Sequence, residues 1–194
     1  MNNSVKVGIL SDTHGHLDAR IADVIRDCDH AVHAGDIMGA HVLEQLQPRK
    51  SVIAVAGNND HPAIWDQDEA DIVAALPRTT ELVLPGGTVR IEHGHRLGGF
   101  PEHEQLRWDH ADVKMVVYGH THKRIIDQQA EPWIVNPGAA GRERTKGGPS
   151  CLILHASESE WTIETILFAD TAAAQKKKHL MNASPYFSSG GPEY

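Results

Sequence analysis

Cysteine is nearly absent from this chain. Its 194 residues include two, Cys28 and Cys151, far apart and without a C-x-x-C spacing. A disulfide framework or a thiolate metal site is therefore disfavoured, and two buried thiols in a reducing compartment are expected. Long apolar runs are missing too: none approaches the ~18 residues of a membrane span. Met1-Asn2-Asn3-Ser4 leads straight into a strand-like segment, without the charged and then apolar stretches of a secretory signal. A cytoplasmic protein with no membrane partner is the expectation. Positive charge is in short supply, since 18 Lys and Arg stand against 26 Asp and Glu, a formal net charge of -8. That argues against duplex nucleic acid as a general partner, because such binding rests on cations that neutralise phosphates. It says little about a small phosphate ester, which bound metal cations would attract locally. No internal repeat is found.

What is present is ordinary for a globular domain: 40% apolar and 23% charged residues. The length suits one domain with a sizeable core. Val5 to Leu10 reads as a short buried strand. Leu17, Ile21, Val24 and Ile25 recur at helical spacing, which predicts an amphipathic helix over 17–27. Ala31-Val32 with flanking histidines is a second strand, Ala40 to Gln47 a helix stopped by Pro48, and Ser51 to Ala56 a third strand. This alternation implies a parallel sheet with right-handed crossovers. Pro85-Gly86-Gly87 between Thr80–Leu84 and Thr88–Glu92 is a hairpin signal. A helix over Glu102 to Asp109 precedes strands at Lys114–Tyr118, Arg124–Gln128, Trp133–Val135, Ser150–His155 and Trp161–Leu167. The second half therefore reads as a mostly antiparallel sheet. Two sheets packed face to face, with helices outside, are expected in one domain over 1–168. Residues 169–194 contain Lys176-Lys177-Lys178 and the polar run from Ser184 to Tyr194, and read as a disordered tail.

The chemistry lies at the ends of the apolar runs. Asp12-Thr13-His14 follows the first strand, Gly35-Asp36 the second and Gly57-Asn58-Asn59-Asp60 the third. His93-Gly94-His95 follows the hairpin strand, and Gly119-His120-Thr121-His122 follows Met115–Tyr118. Ligands gather at the carboxyl ends of strands in sheets of this kind. Seven side chains are thereby directed to one rim: Asp12, His14, Asp36, Asn58, His93, His120 and His122. Two carboxylates, an amide and four imidazoles suit Mn²⁺, Fe²⁺ or Zn²⁺. Any one cluster alone has a plainer account, as a helix cap or a turn. Their joint occurrence points to a two-metal hydrolytic centre.

In this order, the five clusters resemble the calcineurin-like metallophosphoesterases, and more narrowly their small bacterial and archaeal phosphodiesterase branch. That branch includes the small metal-site subunit of retromer as a distant relative. Asn136-Pro137-Gly138-Ala139 is similar to a further loop of that branch, and the resemblance spans about Val5 to Leu167. It implies an α/β fold, a four-layer α/β/β/α sandwich of two mixed sheets. It also implies that Asp12, His14, Asp36 and His122 hold one divalent ion, and that Asp36 bridges to a second completed by Asn58, His93 and His120. The pair would be Mn²⁺ in the first instance, with Fe²⁺, Zn²⁺ or Ni²⁺ as alternatives. Together they would activate a water to attack phosphorus. His95 would orient the site from behind the ligands, and self-association into a homo-oligomer is a common habit of small members.

Asn59 departs from the pattern, since many members carry a histidine there that assists the leaving group. An amide is no general acid near neutral pH, although it can hydrogen-bond a phosphoryl oxygen. Asn59 and His95 are thus the candidate catalytic residues beside the ligands. His16 and His61 are near in sequence and could supply a proton, although surface histidines are the default. Arg142, Arg144 and Lys146 follow the Asn136 loop as candidate phosphate contacts, a solvated surface loop being at least as good an account. Hydrolysis of a small phosphodiester or nucleotide is the expected activity. A phosphomonoesterase of the same fold and a non-catalytic scaffold or interaction protein are the alternatives.

Overall fold

The computed structural model describes residues 4–170. Its first strand, β1 (Val5–Leu10), pairs in parallel with β2 (His30–His33), which pairs in parallel with β3 (Ser51–Ala54). The crossovers carry α1 (Ala19–Arg26) and α2 (Ala40–Gln45). Helix α1 starts two residues later than its apolar spacing suggests, because the Asp18 carboxylate accepts from Arg20 N and caps it. Ile21, Ala22 and Ile25 form its buried face. The short helix α3 (Ala70–Ala75) was not expected from sequence. Val73 is its only buried residue, too thin a signal for an amphipathic pattern.

The second sheet begins with the expected hairpin of β4 (Thr79–Leu84) and β5 (Gly87–Glu92). After α4 (His103–Asp109) come β6 (Met115–Val117), β7 (Arg124–Asp127) and β8 (Trp133–Pro137), in the order β4-β5-β6-β8-β7. The expectation of a mostly antiparallel second half is corrected on two counts. β5, β6 and β8 are mutually parallel, and only the outer pairs are antiparallel. The final hairpin, β9 (Ser150–Ala156) and β10 (Trp161–Leu167), leaves this sheet and pairs antiparallel with β1, giving β10-β9-β1-β2-β3. Both sheets are therefore mixed. The tail expected over 169–194 lies outside the described residues apart from its first two.

Period-2 alternation sorts the apolar side chains into layers. Val7 and Ile9 of β1, Leu152 and Leu154 of β9, Met115 and Val117 of β6 and Val135 of β8 meet between the sheets. Leu10 and Cys151 face α1 and α2 on one outer side. Val116 and Ile134 face Leu106 of α4 on the other. Strands buried on both faces read as unbroken apolar runs, which is why they were legible. Cys28 and Cys151 are both buried and free.

Outside β7, Arg107 of α4 pairs with Asp127 at 2.7 Å, and Asp127 also meets His103 Nδ1 at 2.7 Å. The Arg107 hydrogen bond leads in holding the Asp127 carboxyl down at about 2. A depressed carboxyl stabilises the fold above its unfolded value of ~4 and loses that contribution as pH falls through about 2. Asp127→Asn should therefore cost roughly 1 kcal/mol at pH 7. The gap to the parent, followed by thermal melts, should close between about pH 4 and 2. A gap independent of pH would refute this account of the contact.

Candidate metal centre

Parallel β1, β2 and β3 end on the same rim, as do β5, β6 and β8, and cross-links bring the two rims together. Asp12 N donates to Gly35 O and Gly119 N to His93 O. Between the sheets, His120 N donates to Asp12 Oδ1, and Ala140 N to Ser11 O. The turns are tight. Asp12, His14, Asp36, His120 and His122, five of the seven candidate ligands, have left-handed φ between 46° and 65°. Non-glycine residues rarely adopt that region, and such strain persists where surrounding structure over-determines it. Glycine is required between them by close approach: a Cβ on Gly119 would overlap Ser11 Oγ and lie 3.0 Å from Asp12 Oδ2.

Donor atoms of Asp12, His14 and His122 lie within 4.8 Å of one another, and so do those of Asp12, Asp36 and His93. Asp36 spans the two sides: Oδ2 is 3.7 Å from His14 Nε2, and Oδ1 is 3.4 Å from His93 Nε2. His122 Nε2 is 3.4 Å from Asp12 Oδ1 and 3.1 Å from His14 Nε2. The His120 ring lies edge-on to His93, 5.3 Å between centroids, and half-buried. Asn58 is not drawn in; it is exposed and lines a cavity beside the cluster. The amide that touches the cluster belongs to Asn59, whose backbone N and Nδ2 donate to Asp36 Oδ1 and Oδ2 at 2.9 and 2.8 Å. That Nδ2 is thus engaged by a carboxylate rather than open to a phosphoryl oxygen. His95 stands 5.5 Å from His93, ring to ring, and its Nδ1 is buried without a partner.

The cluster's own charges are poorly balanced. His93 Nδ1 lies 2.7 Å from Ala34 O and donates to it, so Nε2 offers a lone pair. That lone pair faces Asp36 Oδ1, also an acceptor, and both His93 Nε2 and Asp12 Oδ2 are buried without a hydrogen-bond partner. Burial pushes the Asp12 carboxyl up to about 7, against the pull of His93. Burial works to raise Asp36 as well, but His93 and the Asn59 donors hold it well below the usual carboxylate range. For His93, burial opposes protonation, yet Asp36 and Asp12 outweigh it and raise the ring. His14, His120 and His122 are lowered, chiefly by burial, His122 to about 4, and so present neutral nitrogens. Buried acceptors facing one another demand a cation between them, a proton or a metal. Carboxylate and imidazole donors without thiolate fit a divalent ion such as Mn²⁺, Fe²⁺ or Zn²⁺.

Three supports have a role that the sequence did not disclose, although Asp60 and Asn136 belong to clusters it did single out. His33, read as a histidine flanking a strand, is fully buried, and its Nδ1 accepts from Gly35 N at 3.3 Å. Its Nε2 therefore carries the proton and donates to Thr13 Oγ1 at 3.0 Å. The Thr13 hydroxyl reaches Ile37 O at 3.1 Å, so one ring braces the loops that carry Asp12, His14 and Asp36. Burial lowers His33 to about 4, which keeps it neutral. Asp60 accepts from the N–H groups of Gly57, Ile37 and Met38 and from the Trp65 ring. Asn136 Nδ2 donates to Gly119 O at 2.6 Å and holds the His120 turn. A polar residue at the end of an apolar run was the available signal for each. Of the basic loop, Arg144 comes nearest the cluster, its Nη2 3.3 Å from His14 Nε2. Lys146 Nζ donates to Thr121 O, and Arg142 is exposed.

Known proteins share this arrangement of chain. A phosphodiesterase of Methanocaldococcus jannaschii is 26% identical over 168 residues, 81% of this chain and 96% of that protein. Among solved structures, Entamoeba histolytica Vps29 in complex with Zn²⁺ superposes with a TM-score of 0.67 at 20% identity, covering 86% of this chain and 94% of that one. An archaeal phosphodiesterase gives 0.64 at 23% identity, covering 83% and 99%. These structural likenesses establish the four-layer fold. Residues 5–159 match the family model of the calcineurin-like phosphoesterase superfamily domain. The candidate ligand loops and every strand of the two mixed sheets except β10 lie within that match, and the chain belongs to the calcineurin-like phosphoesterase superfamily.

Proposed function

We propose that this protein is a metal-dependent phosphodiesterase. Asp12, His14, Asp36 and His122 would hold one divalent ion, and Asp36, His93 and His120 a second, Mn²⁺ being the first choice. The observation that supports this most directly is the pair of buried acceptors without donors, His93 Nε2 and Asp12 Oδ2, beside Asp36. Such atoms are costly in a core unless a cation satisfies them. When bound, two such ions supply a water of lowered pKa and neutralise charge on phosphoryl oxygens. The Zn²⁺ in the Vps29 structure and the activity named for the archaeal relatives support the same reading.

The chain's own residues then have distinct tasks. Asn59 aims both Asp36 oxygens through two hydrogen bonds. His33 and Thr13 hold the first two ligand loops in their left-handed turns. Arg144, exposed and beside His14, presents a guanidinium to a bound phosphoryl group. His95 backs His93 and His120. Asn59 offers no proton to a leaving group, so esters whose leaving groups need none react fastest.

An aryl phosphodiester such as bis(p-nitrophenyl) phosphate should therefore be turned over with Mn²⁺ at least roughly tenfold faster than an alkyl monoester. Chelation should abolish that turnover, and Mn²⁺ should restore it. Equal or faster monoester hydrolysis would make the protein a phosphomonoesterase. No hydrolysis of either by fully loaded protein would favour a scaffold role on this fold.

A further inference from the structure

Asn58 and His95 do more than border the candidate metal centre. They also line an open cavity of about 270 Å³, together with His61 and Arg78. Arg78 is brought there by the backbone: Ala56 N donates to Pro77 O at 2.8 Å, tying the entry to β4 onto the loop that carries Asn58. The cavity lining includes no apolar side chain larger than the methyl group of Ala56, so it does not suit a lipid chain. Asp60 contributes a carboxylate to its floor, but that carboxylate is 7% exposed and already accepts from three backbone N–H groups and Trp65. Asn58, His61 and Arg78 are exposed, and Arg78 makes no hydrogen bond or ion pair with any described residue. A free guanidinium, an imidazole and an amide around one opening are donors suited to a tetrahedral oxyanion.

We propose, resting on the phosphodiesterase reading above, that this cavity is a subsite for a second phosphate on one ester arm of the substrate, gripped by Arg78 with Asn58 and His61. The natural substrate class is then a phosphodiester with a terminal phosphate, in preference to one with uncharged arms. A diester held at the Asp12–His122 cluster has this cavity beside it on the Asn58 and His95 side. Arg144 stands beside His14, where it would meet the scissile phosphoryl group instead. The two arginines therefore divide the work: one for the reacting phosphate, one for its companion.

The dinucleotide TpT and its phosphorylated forms pTpT and TpTp are suitable probes, assayed with Mn²⁺-loaded protein. One phosphorylated form should show a KM about tenfold below that of TpT, as expected for charge-assisted hydrogen bonds to one phosphate. In Arg78→Gln the ratio of the two KM values should collapse toward one. In Arg78→Lys it should recover partly, because charge is kept and the planar fork is lost. Equal KM values in the parent protein, or a preference that survives Arg78→Gln, would overturn the subsite. Should none of the dinucleotides be cleaved, the same ratio is read from dissociation constants by titration calorimetry. An Arg78-dependent preference there would leave the subsite standing, with the hydrolase reading decided separately by the aryl diester assay, and its absence would sink the subsite.

Discussion

Asp36→Asn should strip the protein of most of its bound divalent metal and lower phosphodiester turnover by at least roughly a thousandfold, about 4 kcal/mol of transition-state stabilisation. The two oxygens of Asp36 face different halves of the cluster, His14 on one side and His93 on the other. Asparagine removes the charge that a shared cation needs. It also turns an acceptor into a donor. Both Asp36 oxygens accept from Asn59, so an amide NH₂ in place of Oδ1 would meet the Asn59 backbone N–H head-on, and one in place of Oδ2 would require the Asn59 amide to flip. Metal content by elemental analysis, beside a circular dichroism spectrum to show that the fold survives, is the deciding measurement. A folded Asp36→Asn protein that keeps parental metal and activity would remove Asp36 from the site.

Gly57→Ala should be nearly as damaging, through sterics alone. Gly57 precedes Asn58 and packs against the Asp36 loop so closely that an added Cβ would overlap the backbone N and Oδ1 of Asp36. These atoms cannot swing aside. The backbone N belongs to a left-handed turn at φ 54°, and Oδ1 is held by Asn59 N. A loss of roughly 3 kcal/mol in unfolding free energy is expected, typical of overpacking in a rigid core, together with loss of metal. Gly99→Ala is the matched control, because a Cβ there meets nothing within 4 Å. It should stay within ~0.5 kcal/mol of the parent. Denaturant melts of both variants decide the matter. A stable, metal-binding Gly57→Ala protein would show that the two loops can separate without cost.

Local features were legible from the chain alone. An apolar run ending in Asp-x-His or His-x-His is a neighbourhood of a few residues, so the order of strands and the candidate ligands at their ends could be read directly. The hairpin over 79–92 was equally plain, because Pro85 and Gly86 mark its turn. Non-local pairing was not. Whether β9 joined the second sheet or returned to β1 depends on backbone hydrogen bonds between opposite ends of the chain, and period-2 patterning is the same either way.

Side-chain destinations were hidden for the same reason. Asn58 and Asn59 are chemically identical neighbours, and only the turn decides that Asn59 meets Asp36 while Asn58 faces the cavity. His33 looked like one more strand histidine until Gly35 N and Thr13 closed around it. The sequence by itself determined which chemistry was available, since residue types and their distance from strand ends are covalent facts. The tertiary structure alone decided which of those groups meet. The left-handed turns at Asp12, His14, Asp36, His120 and His122 are unfavourable in isolation, and they persist where two packed sheets hold them.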